Sequence, residues 1–265
     1  MLSPSNYETI QIERRENGVV LATLNRPERL NAIDRRMHYE LAQITRDAGA
    51  DRELNVLVIT GAGRSFCAGG DFAGGFKQKA PEGAAPLMVE AIQIVENLLD
   101  CPKPVICAVN GYAMGLGANF ALLCDIVVGG PGTVFADTHV NLAIGAGDGG
   151  QLIWPLLLGV NRAKYYLMTG DRLEGAEAER LGLVNFLVDD DQILAKALEV
   201  ANRLGKGPAL AIQASKIPIN RWIKSQAQQI MPLSIEMEKA TMRSEDAVEA
   251  GKAFAEKREP VFQGR

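Results

Sequence analysis

The chain has 265 residues, of which 47% are hydrophobic and 23% charged, and its net charge is −4. This composition is typical of a soluble globular protein, and the length suits one large domain or two small ones. The mildly acidic balance, without a basic cluster, argues against nucleic-acid binding. Four cysteines without CxxC spacing and two histidines give no zinc pattern, so we expect buried free thiols and no metal site.

The N-terminal segment MLSPSNYETIQIERR has no apolar core of the kind found in secretory signals. The apolar stretches further along are interrupted by asparagine, aspartate and glycine, so none is expected to cross a bilayer. We therefore expect a cytoplasmic protein that does not associate with membranes.

The first hundred residues alternate between strand and helix signals. ETIQIERRENGVVLATLN predicts a β-hairpin around Asn17-Gly18. Asp34 is expected to cap a helix that runs to about Ala48. The run NVLVIT at 55–60 predicts a buried strand, and apolar spacing predicts a helix over 84–99.

The middle of the chain repeats the order strand, glycine turn, helix, strand. PVICAVNG at 104–111 predicts a buried strand, GLGANFALLC at 115–124 a helix, and DIVVGG at 125–130 another strand. This alternation is typical of an α/β domain with a wound sheet.

After Gly149 the periodicity becomes almost entirely helical. One apolar stripe in this part consists of Leu194, Leu198, Ala201 and Leu204. We expect an α/β core over 1–199 and a helical region over 200–265, which is of the kind that often packs on a neighbouring subunit.

Ionisable groups are scarce in the apolar, glycine-rich middle. Between Lys103 and Arg162 the charged residues are Asp125, Asp137 and Asp148, accompanied by His139 in the segment FADTHVNLAIGAGDGG. Asp125 is expected to be structural. Asp137 and His139 would share a face on a strand, and Asp148 could reach back to the ring across a loop. The residues alone leave two interpretations open: a catalytic pair, or a core histidine with hydrogen-bonded partners.

Two glycine clusters follow predicted strands and open toward helices. They are CAGGD at 67–71 and GLGAN at 115–119. Free backbone N–H groups at such positions suit a developing negative charge, and two of them from separate loops would form an oxyanion hole.

Four segments together resemble the crotonase superfamily, the enoyl-CoA hydratase/isomerase family. They are LNRPERLNAI (24–33), GAGRSFCAGGDF (61–72), CAVNGYAMGLGANFALLCDI (107–126) and AFAEKREPVFQGR (253–265). The resemblance covers nearly the whole chain. It implies a spiral of ββα units with a helical C-terminal trimerisation region, assembly as trimers or dimers of trimers, and an acyl-CoA substrate. Coenzyme A would then be part of the substrate, with no permanently bound cofactor.

The resemblance also implies site residues. The oxyanion donors would be the backbone N–H groups of Gly70 and Leu116, the latter standing where relatives often carry glycine. Residues expected to bind the coenzyme A part are Arg29, Leu30, Ala68, Asp71, Phe72, Phe254 and Lys257. Lys257 is expected to meet a phosphate as a point charge.

The two glutamates with which hydratases of this family activate water are replaced here by Asn119 and His139. An amide can orient water but cannot act as a base near neutral pH. We therefore expect His139 to be the general base and Asp148 to orient it. The spacing of this pair also resembles the His/Asp pair of 6-oxocamphor hydrolase, a CoA-independent enzyme that cleaves β-diketones.

Three functions thus remain open. The first is an acyl-CoA hydratase or isomerase with a His/Asp pair, which the segments CAGGDF and FAEK favour. The second is a β-diketone C–C hydrolase, and the third is a catalytically inactive relative that binds a partner.

Overall fold

The computed structural model describes residues 2–71, 74 and 78–265. Its strands are β1 (Ile10–Arg14), β2 (Val19–Leu24), β3 (Val56–Gly61), β4 (Val105–Ala108), β5 (Tyr112–Met114), β6 (Ile126–Gly129), β7 (Val134–Ala136), β8 (Leu173–Glu174) and β9 (Phe186–Leu187). Its α-helices are α1 (Arg35–Ala50), α2 (Leu87–Asp100), α3 (Leu116–Leu123), α4 (Gly150–Leu158), α5 (Val160–Thr169), α6 (Gly175–Arg180), α7 (Ile193–Gly205), α8 (Ala209–Met242) and α9 (Glu245–Glu256).

The strands form two sheets that the chain visits in turn. The larger sheet has the order β1-β2-β3-β4-β6-β9, and all its neighbours after the β1–β2 hairpin are parallel. The smaller sheet has the order β5-β7-β8. The chain passes from β4 to β5 and then α3, and from β6 to β7 and then α4. This succession is a spiral of ββα units, and the predicted fold class is confirmed.

Both faces of the larger sheet are buried along its central strands β2, β3 and β4, as is typical of parallel strands. Along β2, Val20 and Ala22 face the main core, whereas Val19 and Leu21 face a second apolar layer. Helix α7 covers that second layer with Ile193, Ala197 and Ala201. Residue 200 lies within α7, so residues on both sides of the expected 199/200 boundary pack on the sheet.

Local signals at the N-terminus are confirmed. The β1–β2 hairpin turns at Asn17 and Gly18, both of which have positive φ angles. The Asp34 side chain accepts a hydrogen bond of 2.8 Å from the Met37 N–H and so caps α1.

The sequence prediction differs from the structure in the middle of the chain. The strand expected over 104–111 ends at Ala108, because the chain turns at Asn110-Gly111 and enters the smaller sheet as β5. His139 does not lie on a strand: β7 ends at Ala136, and a 3₁₀ turn runs from His139 to Leu142. The two-residue strands β8 and β9 were not expected.

The C-terminal region is helical, as expected, and packs on the core. Helix α8 has 34 residues and contacts α2 and α4. No helix in the described part of the chain combines the length and apolarity needed to span a membrane. All four cysteines are buried and free of disulfide bonds, as expected.

Candidate active site

Two glycine loops lie side by side at one end of the smaller sheet. The Cys67 N–H donates to the Tyr112 carbonyl and the Met114 N–H donates to the Cys67 carbonyl, which pairs the loop of Gly70 with the strand that leads to Leu116. Gly70 and Leu116 both line one cavity. Neither N–H group donates a hydrogen bond to another described residue. The two amides predicted as oxyanion donors are therefore neighbours with free donors.

Gly115 makes this close approach possible. It has φ +51° and ψ −128°, a conformation that side chains strongly disfavour. A β-carbon there would make only ordinary contacts, 3.9 Å from the Gly69 Cα and 3.5 Å from the His139 ring, so the backbone conformation rather than space requires glycine. Leu116 follows as the first residue of α3, where the orphan N–H groups and the helix dipole favour negative charge.

His139 lies between two carboxylates. Its Nδ1 is 2.6 Å from an oxygen of Asp137, and its Nε2 is 3.1 Å from an oxygen of Asp148. All three side chains are buried. The expected contact between His139 and Asp148 is present, but Asp137 holds the other ring nitrogen.

Asn119, which lies on α3, binds the carboxylates of both Asp137 and Asp148. Its amide nitrogen donates to Asp137 at 3.0 Å and to Asp148 at 2.7 Å. Its oxygen accepts a hydrogen bond of 2.9 Å from the Trp154 indole. These contacts use both amide protons, and Asn119 is fully buried. The expectation that Asn119 orients water does not fit this geometry, which makes Asn119 a positioning residue.

The electrostatic surroundings determine the charge states of His139 and Asp137. Burial by itself would lower the pKa of His139, but the Asp148 and Asp137 carboxylates outweigh it and raise that pKa well above the ordinary value. Burial would likewise raise the pKa of Asp137, but its contacts with His139 and Asn119 lower it. His139 is thus an imidazolium near neutral pH, with no free ring nitrogen to accept a proton. The geometry argues against His139 as the base.

Asp137, His139 and Asp148 lie close enough together to be considered as metal ligands. The two carboxylates, however, contact opposite nitrogens of one ring. The three groups are therefore arranged as a chain of ion pairs.

The cavity beside this chain has a volume of about 140 Å³. Its polar lining includes Asp148 and His139, and its apolar lining includes Ile33, Leu87, Met88, Ala91, Ile144 and Met242. Asp137 and Asn119 are not part of the lining. Asp148 is thus the member of the chain that combines a carboxylate with access to the cavity.

Glu238 of α8 also lines this cavity and was not predicted from the sequence. Only 7% of its surface is exposed, and its Oε2 has no hydrogen-bond partner among the described residues. Burial, reinforced by the Asp148 carboxylate, raises the pKa of Glu238 to about 8, although His139 opposes the shift. Glu238 is therefore mainly a neutral acid at pH 7.

The second histidine of the chain, His38, lines the same cavity from α1. Its Nδ1 lies 2.9 Å from Glu90 of α2, and Arg35 also binds that carboxylate, at 2.6 Å. This buried cluster ties α1 to α2 along the wall of the cavity.

A wider groove of about 640 Å³ adjoins the cavity, and Gly70 lines both. Five residues predicted to bind coenzyme A line the groove: Arg29, Leu30, Ala68, Asp71 and Phe254. Asp71 is also held by Arg26 at 3.0 Å. These predicted binding residues thus converge on a groove that meets the cavity at Gly70.

Two further predictions about the groove have different outcomes. Lys257 ends α9 with φ +54° and does not line the groove, whereas its neighbour Arg258 does. The reversal of the chain at Lys257 redirects the side chains that follow the helix. Phe72 lies outside the described residues.

Sequence reasoning missed Arg172, Tyr112 and Arg258 on the groove and Glu238 on the cavity. For Glu238 a signal exists, because it continues the buried stripe Ala227, Met231 and Ile235 at helical spacing. An acid in an apolar stripe is either paired or functional. Arg172 has no such pattern, since it lies in a short connection before β8.

Comparisons with known proteins identify the family of this chain. The family model for enoyl-CoA hydratase/isomerase matches residues 14–265. The chain is 34% identical over 255 residues to 1,2-epoxyphenylacetyl-CoA isomerase of Escherichia coli K12, covering 94% of this chain and 97% of that protein. It is 36% identical over 263 residues to carnitinyl-CoA dehydratase of Citrobacter koseri, covering 95% and 97%. The chain belongs to the enoyl-CoA hydratase/isomerase family.

Solved structures of the family superpose closely. An enoyl-CoA hydratase of Mycobacterium avium subsp. paratuberculosis gives a TM-score of 0.88 at 27% identity, covering 97% of this chain and 99% of that one. Carnitinyl-CoA hydratase of Mycobacterium avium gives 0.86 at 31% identity, with the same coverage. This family member therefore has the crotonase fold along nearly its whole length.

The raised pKa of Glu238 predicts a stability effect in this family member. Between pH 4.5 and about 8 the folded chain holds a proton that the unfolded chain has released, so stability falls as pH rises through this window. Glu238→Gln removes this titration. As pH rises from 5 to 8, the free energy of unfolding of the variant should therefore fall less than that of wild type. Urea unfolding at pH 5, 6.5 and 8 measures this, and parallel curves for the two proteins would contradict it.

Proposed function

We propose that this protein is an acyl-CoA isomerase that forms a thioester enolate and shifts a carbon–carbon double bond. The observation that carries the proposal is the cavity in which the free N–H groups of Gly70 and Leu116 lie on the same lining as the Asp148 carboxylate. Such a site can stabilise an oxyanion and accept a proton from the adjacent carbon.

In the proposed reaction Asp148 takes a proton from C2 of a 3-enoyl thioester. The electron pair moves to the thioester oxygen, which accepts hydrogen bonds from Gly70 and Leu116. Asp148 then returns the proton to C4, and the double bond moves from C3–C4 to C2–C3. The step consumes no water and leaves Asp148 ionised again.

The role of His139 in this proposal is positioning. The imidazolium holds Asp148 in place, while Asp137 and Asn119 fix the ring. Asp148 therefore takes the role of base that the sequence had suggested for His139. Each carboxylate oxygen has two lone pairs, so Asp148 keeps acceptor capacity toward the cavity.

Isomerisation is favoured over the alternatives by the same contacts. Hydration with a pair of groups at the two family glutamate positions would need Asn119 to place water, and Asn119 is fully engaged with Asp137, Asp148 and Trp154. Hydrolysis of a β-diketone by a histidine base would need a free ring nitrogen, and both contact carboxylates. The groove lined by the predicted coenzyme A residues supports a thioester substrate.

The first prediction concerns Asp148→Asn, which keeps the shape and removes the base. With 3-butenoyl-CoA in D₂O, the rates of double-bond shift and of deuterium entry at C2 and C4 should fall by roughly 10²–10⁴. Proton NMR measures both rates.

Asp100→Asn is the matched control, since Asp100 is an exposed carboxylate paired with Lys224 away from the cavity. It should retain the wild-type rate. A folded Asp148→Asn protein with undiminished rate would remove Asp148 from the role of base. Wild-type protein that binds 3-butenoyl-CoA without exchange or isomerisation would support an inactive binding relative.

The second prediction concerns the groove, where Arg29, Arg172 and Arg258 supply positive charge for the phosphates of coenzyme A. Arg258 is already bound by Glu249 and Glu256, whereas Arg172 forms no ion pair with a described residue and lies over the Tyr112 ring at 5.9 Å. Arg172→Ala should weaken acyl-CoA binding about tenfold, or about 1.4 kcal/mol.

Lys257→Ala is the comparison variant, because Lys257 does not line the groove. Calorimetric titration with butyryl-CoA should show a smaller effect for Lys257→Ala than for Arg172→Ala. The opposite order would restore the expectation that Lys257, rather than the groove arginine, meets a phosphate.

We further propose that the protein assembles as a homotrimer or a dimer of trimers. Large apolar side chains are exposed along the last helices: Leu210, Ile217, Ile219, Trp222, Leu233, Met237, Val248 and Phe254. Exposed apolar area of this extent is typical of an interaction surface. Sedimentation velocity at micromolar concentration should give a trimer or hexamer, and a stable monomer would contradict the proposal.

A further inference from the structure

The cavity contains a second carboxyl group that the proposed isomerisation does not use. Glu238 reaches the cavity from α8, on the lining that also includes Asp148, Gly70 and Leu116. Its Oε2 is buried without a partner among the described residues. A buried polar atom left unpaired is destabilising, so its retention needs a reason.

The position of Glu238 is fixed by the loop that carries Asp148. A β-carbon at Gly147 would lie 2.5 Å from the Glu238 Oε2 and 2.6 Å from the Ser234 carbonyl. Glycine at 147 therefore lets the carboxyl group lie against the backbone next to Asp148. Thr241, one turn further along α8, binds the Gly145 N–H at 2.9 Å and secures the same loop.

We propose that Glu238 is a specificity-determining residue that donates a hydrogen bond to an oxygen atom of the acyl group, beyond the thioester carbonyl. The preferred substrates would then be short acyl-CoA thioesters that carry such an oxygen. This inference rests on the proposed function, because it takes the cavity as the acyl site.

The charges around Glu238 explain why it donates. Burial penalises a charged Glu238 most, and the Asp148 and Asp137 carboxylates repel a second anion; these effects outweigh the attraction of His139 and raise the pKa of Glu238 to about 8. His38 faces the cavity from α1, and Glu90 and Arg35 lie behind it, bound to one another. Near neutral pH the neutral carboxyl group has one O–H donor, and a ketone oxygen can accept it.

Discrimination follows from the burial of this group. An alkyl chain leaves the Glu238 O–H without a partner, whereas a chain with a suitably placed oxygen satisfies it. Sites that hydrogen-bond a polar substrate group reject the analogue that lacks it more strongly than apolar pockets reject a missing methylene. Ionisation of Glu238 above pH 8 would remove the donor and with it the preference for a ketone.

The test compares two pairs of ligands with matched carbon chains, butyryl-CoA with 3-oxobutyryl-CoA and pentanoyl-CoA with 4-oxopentanoyl-CoA. Calorimetric titrations at pH 6.5 and 9 use wild type, Glu238→Gln and Glu238→Met. In wild type at least one oxo ligand should bind about tenfold more tightly than its alkyl partner at pH 6.5, and this ratio should fall toward one at pH 9.

The two variants separate the donor from the shape of the side chain. Glu238→Gln keeps an N–H donor that does not titrate, so its affinity ratio of oxo to alkyl ligand should stay above one at both pH values. Glu238→Met fills a similar volume without a donor. Its affinity ratio of oxo to alkyl ligand should therefore be near one at pH 6.5, while butyryl-CoA still binds.

The inference would be overturned if wild type at pH 6.5 bound the oxo and alkyl ligands of both pairs with affinities within twofold of each other. It would also be overturned if Glu238→Met kept the wild-type affinity ratio. Either result, with butyryl-CoA bound, leaves the acyl-CoA function standing. If none of the four thioesters binds, the proposed function fails and this inference fails with it.

Discussion

The imidazolium of His139 between two buried carboxylates is the interaction on which the rest of the site depends. Without that cation, Asp137 and Asp148 would be two anions in an apolar interior, where each uncompensated charge costs several kcal/mol. A buried ion pair contributes to stability only if its remaining donors and acceptors are satisfied. Asn119 therefore donates hydrogen bonds to both carboxylates, and Trp154 donates one to Asn119.

Burial, together with the same charge balance, determines the state of the third carboxyl group, Glu238. One cation already faces two anions, so a charged Glu238 would have added an excess negative charge to a poorly solvated cavity. Its protonation is the less costly solution, as the raised pKa indicates. Two carboxyl groups on one lining thereby have opposite proposed roles, with Asp148 as the acceptor of hydrogen bonds and protons and Glu238 as the donor.

Much of the fold follows from local signals, and the site does so only in part. The hairpin at Asn17-Gly18 and the cap at Asp34 depend on neighbouring residues, which a sequence pattern contains. The contact of Asp137 with His139 depends on a 3₁₀ turn instead of a strand, and periodicity over so few residues cannot distinguish the two. Glu238 approaches Asp148 across 90 positions, a proximity set by the packing of α8 and invisible to any local window.

Helix α8 connects the cavity to the outer surface of the molecule. Glu238 is buried against Gly147, whereas Leu233 and Met237 on the same stretch are 64% and 51% exposed. Residues after 200 also line the groove, through Phe254 and Arg258. The C-terminal helices therefore line both the cavity and the groove, and a copy of the chain packed on the exposed face of α8 would restrict the motion of the helix that positions Glu238. Assembly and acyl recognition would then depend on opposite faces of α8. A movement of α8 that loosens the contact between copies would also displace Glu238.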